Sequence, residues 1–120
     1  MNFKQHESYP NYLISDSGEI KNIITNKMLK GSISENGYRY FRLINQEGKK
    51  KMEYGHRLVA EVFLPNPNNL PVVNHLDGNK LNNHVDNLEW ATYSENAYHA
   101  HHNGLIATVT GPDFYQTDLE

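Results

Sequence analysis

The sequence predicts an α+β fold: a small N-terminal antiparallel sheet with one helix, followed by a strand–loop–strand–helix (ββα) unit. Three observations carry that expectation. Up to Tyr54 the chain alternates short β-prone runs with turn signals such as Asp16-Ser17-Gly18 and Asn36-Gly37. A helical stripe at Leu58, Val59, Val62 and Phe63 is stopped by Pro65 and Pro67. From Val72 to Gly104, two apolar runs flank a polar loop, and a helical segment follows.

The first hairpin is expected over Tyr9–Ile24, with Tyr12-Leu13-Ile14 as one strand and Ile20, Ile23 and Ile24 on its return. Thr25-Asn26-Lys27 turns into a third short strand, Met28 to Gly31. Tyr38 to Ile44 forms the next strand, and its Arg39 and Arg42, three residues apart, fall on opposite faces. Gln46-Glu47-Gly48 turns again, and Lys49, Lys50 and Lys51 lead into Met52-Glu53-Tyr54. The helix is expected over 56–64, its apolar face covering the sheet, with His56 and Arg57 at the sheet edge. The connector Pro65 to Pro71 is stiff and polar. In the ββα unit, Val72 to His75 and Leu88 to Ala91 are the strands and Asp77 to Asp86 the loop. The helix runs from Ser94 to Asn103, capped by Ser94 with Thr92 as the rival cap. Leu76, Leu81, Val85, Leu88 and Trp90 are expected in the core. Residues 1–71 thus form a β-rich platform, 72–104 the ββα unit and 105–120 an acidic tail without an assigned role, all in one domain.

Composition narrows the chemistry. The 120 residues contain no cysteine, which removes disulfides, thiolate metal sites and thiol nucleophiles. No apolar run reaches membrane-spanning length and the first residues lack a signal-peptide core, so no membrane partner and a cytoplasmic location are expected. The net charge of −3 is unevenly spread. Residues 1–57 hold ten Lys/Arg against six Asp/Glu, residues 58–104 hold one against five, and the tail holds three acids. A basic half beside an acidic half carrying five of the seven histidines fits a phosphate-attracting platform next to a cation-holding pocket. Lys30, Arg39, Arg42, Lys49, Lys50, Lys51 and Arg57 are the platform candidates, with edge protection of exposed strands as the plainer account of the lysines. Binding through them should weaken steeply with salt.

The side chains of the ββα unit suggest a metal site. Asn74 and Asn96 offer amide oxygens, hard donors suited to Mg²⁺. His99 shares a helix face with Asn96 and completes the candidate set. His75, at the end of the first strand, would present a ring nitrogen that can take a proton from water.

The segments VNHLDGNKLNN, DNLEW, SEN and HA, with Asn74-His75, Asn87 and Asn96 in their order and spacing, closely resemble the HNH homing-endonuclease family of phages. The upstream segments YPNYLISDSGEIKN, NGYRYFRL and HRLVAEVFLPNP resemble the small N-terminal module that often precedes that motif. The resemblance implies a ββα-metal (HNH, His-Me finger) nuclease that hydrolyses phosphodiester bonds of double-stranded DNA, nicking it or cutting both strands. It implies one divalent ion, Mg²⁺ with Mn²⁺ as the alternative, leaving 5′-phosphate and 3′-hydroxyl ends. By position it makes His75 the general base, Asn87 the residue that aims it, and Asn96 and Asn74 the metal ligands. Asn74 stands where family members often carry Asp, so the two named ligands bring no negative charge, and Asp77 is the nearby candidate to supply it. A homodimer would allow double-strand cuts. Two other readings compete: a catalytically weakened HNH-fold module that binds DNA or protein, and a structural zinc site built from His99, His101 or His102.

Overall fold

The structure is a computed structural model that describes residues 1–95. The predicted helix at Ser94–Asn103, together with Asn96, His99, His101, His102 and the acidic tail, lies outside or extends beyond the described residues.

Strands β1 (Phe3–Gln5), β2 (Tyr12–Ser15), β3 (Ile20–Asn22) and β4 (Lys27–Leu29) form an antiparallel sheet in sequence order. The β2–β3 turn is closed by Ser15, whose Oγ accepts the backbone N–H groups of Ser17 and Glu19 at 3.2 and 2.8 Å. Strands β5 (Ser32–Ile33), β6 (Arg39–Ile44) and β7 (Lys50–Tyr54) form a second antiparallel sheet. The single sheet expected from the sequence is therefore two. The break falls at Gly31, whose φ of +69° and close approach to Phe41 both exclude a side chain: a Cβ there would meet the Phe41 ring at 2.7 Å. The chain turns sharply at that point and its two sides join different sheets.

Helix α1 (Gly55–Phe63) starts and stops one residue before the predicted positions and is closed by Leu64, whose N–H reaches the Ala60 carbonyl at 2.9 Å. Its buried Leu58, Val59 and Ala60 meet Ile14 and Ile20 of the first sheet, Phe41 and Leu43 of the second, and Val73 and Leu88 of the final hairpin. Each such aliphatic or aromatic side chain contributes roughly 1.5–3 kcal/mol on burial. One core therefore ties the platform strands to the hairpin.

That hairpin pairs β8 (Val72–His75) with β9 (Leu88–Ala91), Asn74 opposite Glu89 and His75 opposite Leu88. Beyond it, Thr92 and not Ser94 caps the helical turn that begins at Tyr93: Thr92 Oγ1 accepts the Glu95 N–H at 3.1 Å, and Glu95 Oε1 accepts the Thr92 N–H at 2.9 Å. Leu76 and Leu81, expected in the core, are 39% and 50% exposed. The loop between β8 and β9 is filled by its own asparagine side chains, which turns those two leucines outward. Leu88 is buried as expected, and Trp90 is half-buried with its indole N–H on the Leu64 carbonyl at 3.1 Å.

Candidate active site

The loop from Leu76 to Asn87 is held by amide side chains. Asn87 spans it: Oδ1 accepts the Asp77 N–H at 3.0 Å, and Nδ2 donates to Asp77 Oδ1 at 2.8 Å and to the Asn82 carbonyl at 2.9 Å. Asp77 also accepts from Asn82 Nδ2 and from the Asn79 N–H, at 2.9 and 2.8 Å. The bonds from Asn82, Asn79 and Asn87 hold its carboxyl below the usual carboxylate range. Asp77 is thus committed to the loop.

His75 ends β8 and is 6% exposed. Its Nε2 lies 2.8 Å from Asn83 Oδ1. An amide oxygen only accepts, so Nε2 carries the proton and Nδ1 of the neutral ring carries the lone pair. Burial holds the ring below its ordinary pKa, against the opposing pull of Asn83 and Asp77, so it is neutral and able to accept a proton at neutral pH. Sequence reading missed Asn83. Its neighbours explain why it can sit there: a Cβ on Gly18, where φ is +92°, would lie 2.9 Å from Asn83 Cβ, and a Cβ on Gly55 would lie 3.1 Å from Asn83 Nδ2. Two glycines of the N-terminal segment let their backbones close on the residue that holds His75. The Val85 N–H on the Asp16 carbonyl, at 2.7 Å, fastens the same loop to the same turn.

The ring of His75 meets, at a tilt, two further rings that the sequence did not place there. Tyr38, just before β6, has its centroid 5.9 Å away, and His56, in the first turn of α1, is at 5.0 Å. His56 stacks on Tyr38 at 4.9 Å and 29° and touches Tyr54 at 5.6 Å. It is buried, not at an exposed sheet edge, and burial, with His75 and Arg57 adding to it, pushes its pKa down to about 3. Lys80 lies over the outer side of Tyr38, Nζ 5.0 Å from the ring centroid, and donates to the Asn36 carbonyl at 2.9 Å.

Asn74 is also buried, but consecutive strand residues point to opposite faces. His75 shares its face with Leu88 and the core, whereas Asn74 faces Glu89 across the hairpin. Asn74 Nδ2 donates to Glu89 Oε1 at 3.3 Å, which leaves Oδ1 as the donor atom for a cation, with a carboxylate beside it. A hard-oxygen site for Mg²⁺ is compatible with that pair. Among the described residues no three His, Cys, Asp or Glu side chains gather to hold a metal ion.

The platform candidates separate. Arg42 and Lys50 lie on the outer face of the second sheet with Tyr40, Met52 and Tyr54, and Arg42 sits over the Tyr40 ring at 5.9 Å. Lys30, Lys49 and Lys51 are exposed. Arg39 donates one N–H to the Lys30 carbonyl at 2.7 Å. Arg57 donates to the Pro71 carbonyl at 2.7 Å and lies over Trp90 at 5.4 Å.

The chain carries a match to the family described as HNH endonuclease over residues 53–98, preceded by a NUMOD4 motif over residues 1–44. Among its relatives, the uncharacterized HNH endonuclease L245 of Acanthamoeba polyphaga mimivirus is 48% identical over 81% of this chain and 29% of its own length. The DNA endonuclease I-HmuI of Bacillus phage SP01 is 39% identical over 80% of this chain and 55% of its own length. A solved structure described as DNA binding and cleavage by the HNH homing endonuclease I-HmuI superposes with a TM-score of 0.75, at 34% identity, covering 98% of this chain and 65% of that one. The chain spans about 29% of the length of the mimivirus relative. No helix among the described residues is long and apolar enough to cross a membrane.

Proposed function

We propose that this chain forms the cleaving part of a divalent-metal-dependent endonuclease acting on double-stranded DNA, with His75 as the general base. The observation that carries the reading is the bond from His75 Nε2–H to Asn83: it fixes the tautomer and leaves Nδ1 to take the proton of the attacking water. Asn87 keeps the loop, and through it Asn83, in register with His75. Asn74 Oδ1 and, from outside the described residues, Asn96 and His99 are the proposed ligands of one ion, Mg²⁺ or Mn²⁺. When bound, such an ion supplies Lewis-acid stabilisation of charge on the phosphate and leaving oxygen.

Glu89, bonded to the Asn74 amide, would supply a negative charge that neither named amide ligand carries, alongside the other candidate, Asp77, whose carboxylate already accepts three bonds within the loop. The outer face of the second sheet, with Arg42 and Lys50, continues through Tyr54 and Tyr38 to His75 and is the proposed track for the DNA backbone. Residues 1–71 serve in this reading as platform and 72–104 as the cleaving unit.

Supercoiled plasmid incubated with purified protein and Mg²⁺ or Mn²⁺ should be converted to nicked or linear product. His75→Ala should lower the rate at least ~100-fold, the scale of a lost general base. Undiminished cleavage by that variant would remove His75 from its role. No cleavage in any metal, with DNA still bound, would favour the alternative of a DNA-binding module, for which the uncharged Asn74 is the supporting feature.

A further inference from the structure

One member of the ring cluster has no part in the chemistry described so far. His56 is 8% exposed, and among the described residues its sealed Nδ1 has no hydrogen-bond partner. As filler it is a poor choice, since an apolar side chain would leave no desolvated nitrogen. Its place is better explained by what its ring touches. It forms one corner of a triangle of rings, 4.9 Å from Tyr38 and 5.0 Å from His75, which are themselves 5.9 Å apart, and Tyr54 touches it at 5.6 Å. Asn83 restrains His75 at a single atom, and an imidazole held by one hydrogen bond can still rock about it. The rings of His56 and Tyr38 are the neighbours that can restrain the rest of the ring.

We infer that His56 is a positioning residue for His75: wedged against Tyr38, its imidazole holds the His75 ring at the tilt in which Nε2 meets Asn83 and Nδ1 stays open to the reacting groups. The inference rests on the reading of His75 as the base. It also makes α1 and the segment before β6 part of the cleaving centre, because neither the ββα unit nor its loop contains this wall. The compact five-membered ring matches a gap bounded by centroids about 5 Å away on two sides. A phenyl ring keeps the flat contact but fits the gap less well.

The test uses the full chain with ring-¹⁵N histidine, at one pH, without metal or DNA, alongside single-turnover cleavage. In the unsubstituted protein the His75 Nε2–H should give a distinct, slowly exchanging signal. His56→Ala should shift or broaden that signal while those of His6, bonded to Glu61, and His84, bonded to the Asp86 N–H, stay in place, and His56→Phe should largely restore it. The cleavage rate of His56→Ala should drop ~10–100-fold, as expected of a displaced reacting group, with DNA affinity unchanged and His56→Phe recovering about tenfold of the loss. An unmoved His75 signal in folded His56→Ala, or a rate loss that only tracks loss of folded protein, would overturn the inference. If the unsubstituted protein does not cleave at all, the nuclease reading fails, and the ring signals still decide whether His56 positions His75.

Discussion

Two asparagine-rich connectors in this chain look alike and behave differently. In the segment between α1 and β8, Asn66 closes on its own turn: Nδ2 donates to the Leu70 carbonyl and Oδ1 accepts the Leu70 N–H, at 3.0 and 2.8 Å. In the loop between β8 and β9, Asn82 and Asn87 also bond locally, but Asn83 leaves the loop to hold the ring of His75. The residue type is the same, and what the amide reaches decides its role. Asparagine replaces backbone partners in both connectors. Only in the second does the stiffened loop aim something.

The contrast should appear most strongly in cleavage. Asn83→Leu removes the acceptor from His75 Nε2–H and should lower the single-turnover rate by ~100-fold, the scale of a mis-set reacting group, with DNA affinity kept. A rate within a few-fold of the unsubstituted protein would show that the loop does no more than its counterpart. A smaller effect is expected at the proposed ion site. Asn74→Asp adds a charge and should tighten Mn²⁺ binding, measured by calorimetry, by about tenfold, whereas Glu89→Gln should weaken it by a similar factor. Metal binding indifferent to Glu89 would assign that carboxylate to hairpin pairing alone.

Acid should weaken the fold. His56 stays neutral in the folded chain down to about pH 3, whereas the unfolded chain takes up that proton near pH 6.5. Below that value the unfolded state binds more protons, so the stabilising contribution is full above pH 6.5 and is lost as pH falls toward 3. The slope is at most about 1.4 kcal/mol per pH unit for this group. His75, lowered by burial, acts in the same direction. Urea melts across the range should show the decline, and His56→Phe should make it shallower. Smallest of all is the change at the other connector: Asn66→Ala should cost about 1 kcal/mol of stability, the usual size for a lost local hydrogen bond, and leave cleavage unchanged. A loss of cleavage there would dissolve the distinction between the two connectors.

Much of this molecule follows from neighbours in the chain. Turn residues such as Asp16-Ser17-Gly18, the apolar stripe at 58, 59, 62 and 63, and the stop at Pro65 locate most strands and the helix to within a residue or two. The apolar runs at Val72-Val73 and Leu88 to Ala91 marked the hairpin and its polar loop, and Asn87 bonds across that loop to Asp77 and Asn82. Such features are encoded locally, in periodicity and in side chains that bond a few positions away.

Packing settled the remainder. Gly31 split one expected sheet into two by pressing against Phe41. Arg39 and Arg57, read as cations for phosphate, each also donate one N–H to a distant backbone carbonyl, of Lys30 and of Pro71. Leu76 and Leu81 turned outward, and Asn83, His56 and Tyr38 turned in around His75. None of these outcomes has a local signature. A buried hydrogen bond or ring contact between distant segments exists only once the core has brought their backbones together, and its partner is chosen by proximity in space, not by spacing along the chain.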